Sequence, residues 1–385
     1  MSCTPRILAG HSCAADSRTA AREFHAAVAQ PEMALVIFFC SSDYDLEALA
    51  AEMARLFAGI EVVGCTTAGE IGPAGYRDHS LSGASFPAGT FTVVTGQLDR
   101  LWQFEPGMGQ AFAQALLREL EAKAPTANAG NSFAFLLIDG LSVREEQVAS
   151  TLQQALGRTA LFGGSAGDGL GFSRTHVYHG GRFHSDSAAL ILATTTRPFR
   201  VFMIQHFVAG EERFVVTGAD ATRRIVTEIN GLPAADEYAR LVGVKVGALG
   251  PAHFAASPVV VQIDGAYYVR SIQKANPDGS LTFYCAIEEG LVLRMARGVD
   301  PVENLAKSFD RIRASIGPPE LVLCCDCILR KLESSQSGLN EPTQKILLGN
   351  NAVGFSSYGE QFGGVHINQT MTGIAFGQPP EVAHA

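Results

Sequence analysis

Three sets of side chains in this sequence have the types and spacing to do chemistry. The first is His206, in an apolar run from Phe199 to Phe207. By strand alternation Phe202, Ile204 and His206 share one face, with Met203 and Phe207 on the other. An imidazole among apolar side chains suits an axial iron ligand, since the pocket around such a group sets access and tuning. It suits equally a core histidine satisfied by a backbone hydrogen bond. The second is His366, in the polar string Val365-His366-Ile367-Asn368-Gln369-Thr370, which reads as architectural or as facing a small ligand. The third is Cys324, Cys325 and Cys327, either a zinc or redox set or small buried apolar groups. Zinc takes four N or S ligands, and the next thiol, Cys285, is distant in sequence. In a straight strand Cys325 and Cys327 face one side and Cys324 the other, so one ion needs a turn there. The neighbouring Arg330 and Lys331 would lower a thiol pKa.

Weaker signals lie in glycine-rich turns. Cys65, Thr66 and Ser165 follow strand-like runs, where a hydroxyl or thiol beside a base would make an amide hydrolase. The spacing is not G-x-S-x-G, and no histidine or acid is paired with it locally. Gly163-Gly164-Ser165-Ala166-Gly167 lacks the Lys-Ser/Thr of a phosphate loop. Glu70, Asp168 and Glu360 close their turns at comparable places, where they cap the next segment or bind a ligand amine. His176, His179 and His184 fit a metal or, more simply, the solvated face of a hairpin.

The elements that must position these residues recur. Ala34–Cys40 is a buried-strand run, Ser42 and Asp45 have capping-box spacing, and Leu46, Leu49, Met53 and Leu56 follow at helical spacing. A strand then enters Gly64-Cys65-Thr66-Thr67-Ala68-Gly69-Glu70, and Leu81–Phe86 ends the unit. The pattern returns from Phe133, with Ser142 and Glu145 as cap and Gly163–Asp168 as turn, ending at 187–193. A looser copy starts at Leu321, with a helix over 342–348, the turn Gly354–Glu360 and a strand over 370–376. Repeated strand-helix-strand-strand units predict an α/β fold with mixed sheets covered by helices. A distinct segment with a helix through Ala235, Tyr238, Leu241 and Val242 lies before the third copy.

The bulk numbers set limits. At 385 residues and 47% hydrophobic, the chain has mass for two domains and a sizeable core. A net charge of −9 disfavours sequence-independent nucleic-acid binding. The N-terminus lacks the pattern of a secretory signal, and apolar runs have strand length, so the expectation is a cytoplasmic protein whose eight cysteines are free or metal-bound.

The turn strings resemble the two-part FIST family over nearly the whole chain. The N-terminal part matches Val62–Glu70 and Phe162–Asp168. The C-terminal part matches Val216-Thr217, Asn230–Ala234, Tyr358–Gln361 and His366–Thr370. The resemblance implies a sensory domain over residues 1–215, a C-terminal domain over 216–378 and a disordered tail at 379–385. It implies a small-ligand sensor that is not an enzyme and is tied to histidine kinases, cyclic-di-GMP enzymes or chemotaxis proteins. Gln205-His206-Phe207 and the cysteine cluster are similar to the stand-alone nitric-oxide-sensing haemoproteins of the family. That similarity implies a b-type haem on His206, with His366 second, nitric oxide as ligand, a separate kinase as partner and a possible homodimer. Two rivals remain: a haem-free module for an amino-acid-like metabolite, and a Cys65- or Thr66-dependent amide hydrolase.

Overall fold

The computed structural model describes residues 5–379, so Cys3 and nearly all of the expected tail lie outside the described residues. Buried-strand runs alternating with amphipathic helices build one unit three times. The first unit is β1 (Leu8–Ser12), α1 (Ser17–Val28), β2 (Met33–Ser41), α2 (Leu46–Leu56), β3 (Glu61–Thr67), the hairpin β4 (Glu70–Gly72) and β5 (Gly75–Arg77), and β6 (Leu81–Pro87). The second is β7 (Phe91–Asp99), α3 (Pro106–Lys123), β8 (Ser132–Ile138), α4 (Glu145–Leu156), β9 (Ala160–Ser165), the hairpin β10 (Val177–His179) and β11 (Arg182–His184), and β12 (Ser187–Thr195). The third opens with β13 (Phe199–Gln205) and is then interrupted.

The interruption is an insertion of β14 (Phe207–Asp220), β15 (Ile225–Ile229), β16 (Leu232–Pro233), α5 (Ala234–Val242), α6 (Pro251–Ala256), β17 (Val259–Ile263), β18 (Ala266–Arg270), β19 (Ile272–Ala275), β20 (Leu281–Phe283) and β21 (Val292–Gly298). Its strands form a sheet in the order β18-β17-β21-β14-β15-β20-β19, with β16 on β15. The third unit then resumes with α7 (Pro301–Ile316), β22 (Leu321–Cys327), α8 (Ile328–Gln336), α9 (Asn340–Leu348), β23 (Ala352–Ser357), the hairpin β24 (Glu360–Phe362) and β25 (Val365–Ile367), and β26 (Thr370–Phe376). The chain leaves the third sheet at His206, and β14 spans positions 215 and 216.

Each unit lends its hairpin to another unit's sheet. The three orders are β1-β6-β2-β3-β10-β11, β7-β12-β8-β9-β24-β25 and β13-β26-β22-β23-β4-β5. Thus the second unit completes the first sheet, the third completes the second, and the first completes the third. The central pairs β2/β3, β8/β9 and β22/β23 are parallel, which is why a helical crossover joins the members of each pair.

Alternation in the central strands buries both faces. Leu35, Ile37 and Phe39 of β2, Phe133, Phe135 and Leu137 of β8, and Leu321, Leu323 and Cys325 of β22 enter one core shared by the three sheets. Phe39 stacks on Phe355 with centroids 4.6 Å apart. The opposite faces pack under the helices, as Val36 and Phe38 do with α1 and α2. Close approach of paired strands fixes one glycine in each unit. A Cβ at Gly64, Gly163 or Gly354 would lie 2.5, 2.2 or 1.8 Å from the carbonyl oxygen of Phe38, Leu136 or Cys324. No helix among the described residues is long and apolar enough to cross a membrane.

Two local readings change. The cap of α2 is Asp45, which accepts from the Ala48 amide at 3.0 Å. Ser42 lies in the loop before it. In the second unit Ser142 accepts from the Arg144 amide at 3.3 Å, and α4 begins without a side-chain cap. The helix α8 carries no capping signal either, since its N-cap is Cys327 without a side-chain bond, so nothing local marks where it starts.

Candidate functional site

The three glycine-rich turns converge and are stitched in a ring by backbone bonds. The Ala68 amide donates to Ser356 O at 2.9 Å, and the Ser356 amide to Gly69 O at 2.7 Å. Gly167 and Gly169 donate to Thr66 O and Thr67 O at 2.9 and 3.0 Å. Ser165 donates to Gly359 O at 2.8 Å. The sequence repeats therefore mark one place in space.

Beside this ring a cleft of about 700 Å³ opens between all three units. That volume falls in the range of small-molecule sites, ~300–1,000 Å³. The first unit supplies Asp43, Thr67–Glu70 and Arg77–His79, the second supplies Asp168–Leu170, and α8 and α9 of the third supply Lys331, Leu332, Ser335 and Gln344. Both charge signs face the space. Lys331 Nζ donates to Ala68 O at 3.0 Å and pairs with Asp78. Burial pushes the Asp168 carboxyl up, but bonds from the Tyr358 hydroxyl, the Arg174 and Ser173 amides and the Ser173 hydroxyl outweigh it and hold the group below the ordinary range.

Glu70 forms the back wall. Its carboxylate accepts from the Ser80 amide at 3.0 Å, from Ser80 Oγ at 2.6 Å and from the Thr67 hydroxyl. Burial pushes its pKa up to about 7 against those bonds. Glu360 repeats the arrangement, accepting from Ser357 Oγ at 2.5 Å and Thr370 Oγ1 at 2.7 Å, with burial pushing it up to about 8. Both acids fasten a turn to the start of the unit's last strand, which is the capping role. Asp168 does not share that role. In the second unit it passes to Asp139, which accepts from the Asp186 amide at 2.5 Å and from the Thr175 hydroxyl.

His206 is buried at the end of β13, and both ring nitrogens are engaged. Arg330 Nη1 lies 2.9 Å from Nδ1, and Glu333 lies 2.9 Å from Nε2. A guanidinium only donates, so Nδ1 accepts and Nε2 carries the proton. Neither nitrogen offers iron a lone pair, and the adjoining cavity holds only about 20 Å³. His366 is also buried. The Gln361 amide donates to its Nδ1 at 3.1 Å. Its Nε2 edge lies against Gly359, where a Cβ would be 2.7 Å away. Burial drops its pKa to about 4, so the ring is neutral. As arranged, the surroundings of these two histidines do not fit a porphyrin.

The cysteine set does not assemble. β22 runs straight through Cys327, so no turn gathers the thiols. Cys325 enters the shared core, and Cys324 packs on the helix side. Among the described residues no three His, Cys, Asp or Glu side chains converge to hold a metal. Burial and the Asp326 charge outweigh the downward pull of Arg330 on the Cys324 thiol, and Lys331 turns to the cleft. Burial pushes all three thiols up. Cys65 is likewise a core residue raised by burial. Thr66 Oγ1 accepts from the His176 amide at 3.0 Å, and Ser165 Oγ from Gln361 Nε2 at 2.9 Å. His179 binds Thr95 Oγ1 at 3.0 Å on its hairpin.

Asp43, Lys331 and the Arg77–His79 loop are among the cleft residues that sequence reasoning missed as a binding set. Lys331 sits on a helix without a cap signal, and the hairpin that carries Arg77 belongs to the first unit but pairs in the third sheet. The i, i+3, i+4, i+7 set Ile328, Lys331, Leu332 and Ser335 was the available signal.

Family models match in two consecutive stretches: that of the FIST N domain over residues 34–232 and that of the FIST C domain over residues 234–363. No curated protein matches the chain. A solved structure described as a cyanuric acid hydrolase, an evolutionary innovation by structural concatenation, aligns over 96% of this chain and 99% of its own. Its identity is 11% and its TM-score 0.36, so it carries no argument about this protein.

Proposed function

The chain belongs to the FIST family, whose domains are sensory modules of signal transduction, and from that premise we propose that it binds a small amino-acid-like metabolite in the cleft where its three units meet. The observation that supports this reading is the pairing of charges in one space of about 700 Å³. Lys331 and Arg77 suit a carboxylate, and Asp168 and Asp43 suit an ammonium group. A ligand there touches all three units at once, so it favours one arrangement of them by differential contact. The output passes to a separate signalling protein, a histidine kinase or cyclic-di-GMP enzyme. Binding without turnover is favoured because Cys65 lies in the core, Thr66 is tied to backbone and Ser165 to the Gln361 amide, with no histidine ring or carboxylate bonded to any of the three.

The test is thermal unfolding of the protein with each of the twenty amino acids. A true ligand at one hundred times its Kd adds about 2.7 kcal/mol of stability. The gain is expected to vanish in Asp168→Asn and Lys331→Gln. If no amino acid shifts the transition, this reading fails. A parallel haemin titration separates the rival: a sharp Soret band moved by nitric oxide would restore the haem sensor and require His206 or His366 to leave its present partners.

A further inference from the structure

The helix α8 presents two different faces to two different sites. Ile328, Lys331, Leu332 and Ser335 are three and four residues apart, share one side and line the cleft. Arg330 and Glu333 lie on the opposite side and hold His206 by both ring nitrogens, each at 2.9 Å. Arg330 is itself fixed by Asp326, 2.8 Å from its Nε, so the grip is rigid on the strand side.

His206 is the point where the chain leaves the third sheet for the insertion. Its carbonyl accepts from the Val299 amide at 2.8 Å, and Val299 is where the chain comes back. The next pair outward, Phe207 and Gly298, is in register across β14 and β21. The neck of the insertion is therefore two strands wide, and α8 grips it at one imidazole. Beyond the neck the insertion is docked by Arg224, which reaches Glu145 and Glu146 at 2.6 and 2.7 Å, and by Arg270, which donates to His366 O at 2.6 Å.

We propose that α8 is a lever that couples occupancy of the cleft to the set of the insertion on its neck. In the structure Lys331 is held by Asp78 and Ala68 O. A carboxylate entering the cleft competes for the same ammonium group. Movement of Lys331 turns a helix of nine residues whose neighbouring side chains hold His206. The change in grip then reaches the insertion, which is the output element. The proposal rests on the ligand reading only for what moves the lever.

Hydrogen exchange of the full chain, without ligand, tests the coupling. Glu333→Gln is expected to speed exchange of the Val299 amide about tenfold by loosening the grip. Lys331→Gln, whose side chain touches nothing at the neck, is expected to speed the same amide several-fold. Arg77→Gln, a cleft change off α8, is expected to leave it at the parent rate. Lys331→Arg is expected to restore the parent rate. If Lys331→Gln leaves Val299 unchanged, or if the amides of β8 and β12 accelerate equally through global opening, the lever is rejected. An amino-acid screen that finds no ligand would remove the ligand reading and leave this result standing.

Discussion

Glutamine at position 360 should make the protein less sensitive to alkali. Glu360 has no exposed surface, and burial pushes its carboxyl from an ordinary 4.5 to about 8. Between those values the folded chain holds a proton that the unfolded chain has released. By linkage the stabilisation is fully present below about pH 4.5 and is lost as pH rises through about 8. At 1.36 kcal/mol per pKa unit, the whole loss is roughly 5 kcal/mol. Glu360→Gln mimics the protonated group: its amide NH₂ can donate to Ser357 Oγ while its oxygen accepts from Thr370. Urea unfolding followed by circular dichroism at pH 5, 7 and 9 gives the comparison. The variant is expected to exceed the parent by about 1 kcal/mol or less at pH 5 and by several kcal/mol at pH 9. A variant weaker than its parent at pH 9 would mean that the hydrogen bonds hold an ionised carboxylate, and the argument from burial would be refuted.

Three other outcomes follow from the packing. Arg224→Gln leaves Glu145 and Glu146 in a largely buried setting without their cation, and breaking such a pair costs about 3–5 kcal/mol by chemical denaturation; a change under 1 kcal/mol would show that the insertion is docked mainly by other contacts. Gly354→Ala places a Cβ 1.8 Å from Cys324 O, so the variant is expected to lose soluble folded protein, whereas Gly250→Ala, with nothing within 4 Å, should leave the melting temperature within a degree or two. A thiol reagent should label Cys13 in the native protein and reach Cys40, Cys65, Cys285, Cys324, Cys325 and Cys327 only on unfolding; rapid native labelling of Cys65 would revive the hydrolase.

The units were legible because their signal is local. Leu35, Ile37 and Phe39 alternate with Val36, Phe38 and Cys40, and both sets are apolar because both faces of β2 are covered. The turns were legible because glycine is demanded wherever backbone meets backbone, as at Gly64, Gly163 and Gly354. The partners of His206 were not, because Arg330 and Glu333 lie more than 120 residues away on a helix without a cap. An apolar neighbourhood along the strand says nothing of charges arriving from another element. The cysteine cluster misled for a related reason: three thiols close in sequence are spread over opposite faces once the strand stays straight. The insertion was seen as a distinct segment, but its place inside the third unit follows only from β13 pairing with β26.

The exchange of hairpins also sets a schedule for the ribosome. Tyr76 leaves the tunnel long before Asp326, the residue its hydroxyl must meet 250 positions later. At typical bacterial and eukaryotic elongation rates that interval is roughly 10–50 s. Throughout it the first hairpin has no sheet to join, and the second sheet waits for β24 and β25 with an open edge. The ring closes only when the last strands emerge. Nascent chains stalled before Glu360 should therefore be open to proteases and to holdase chaperones, and those released a few residues past Phe376 should not.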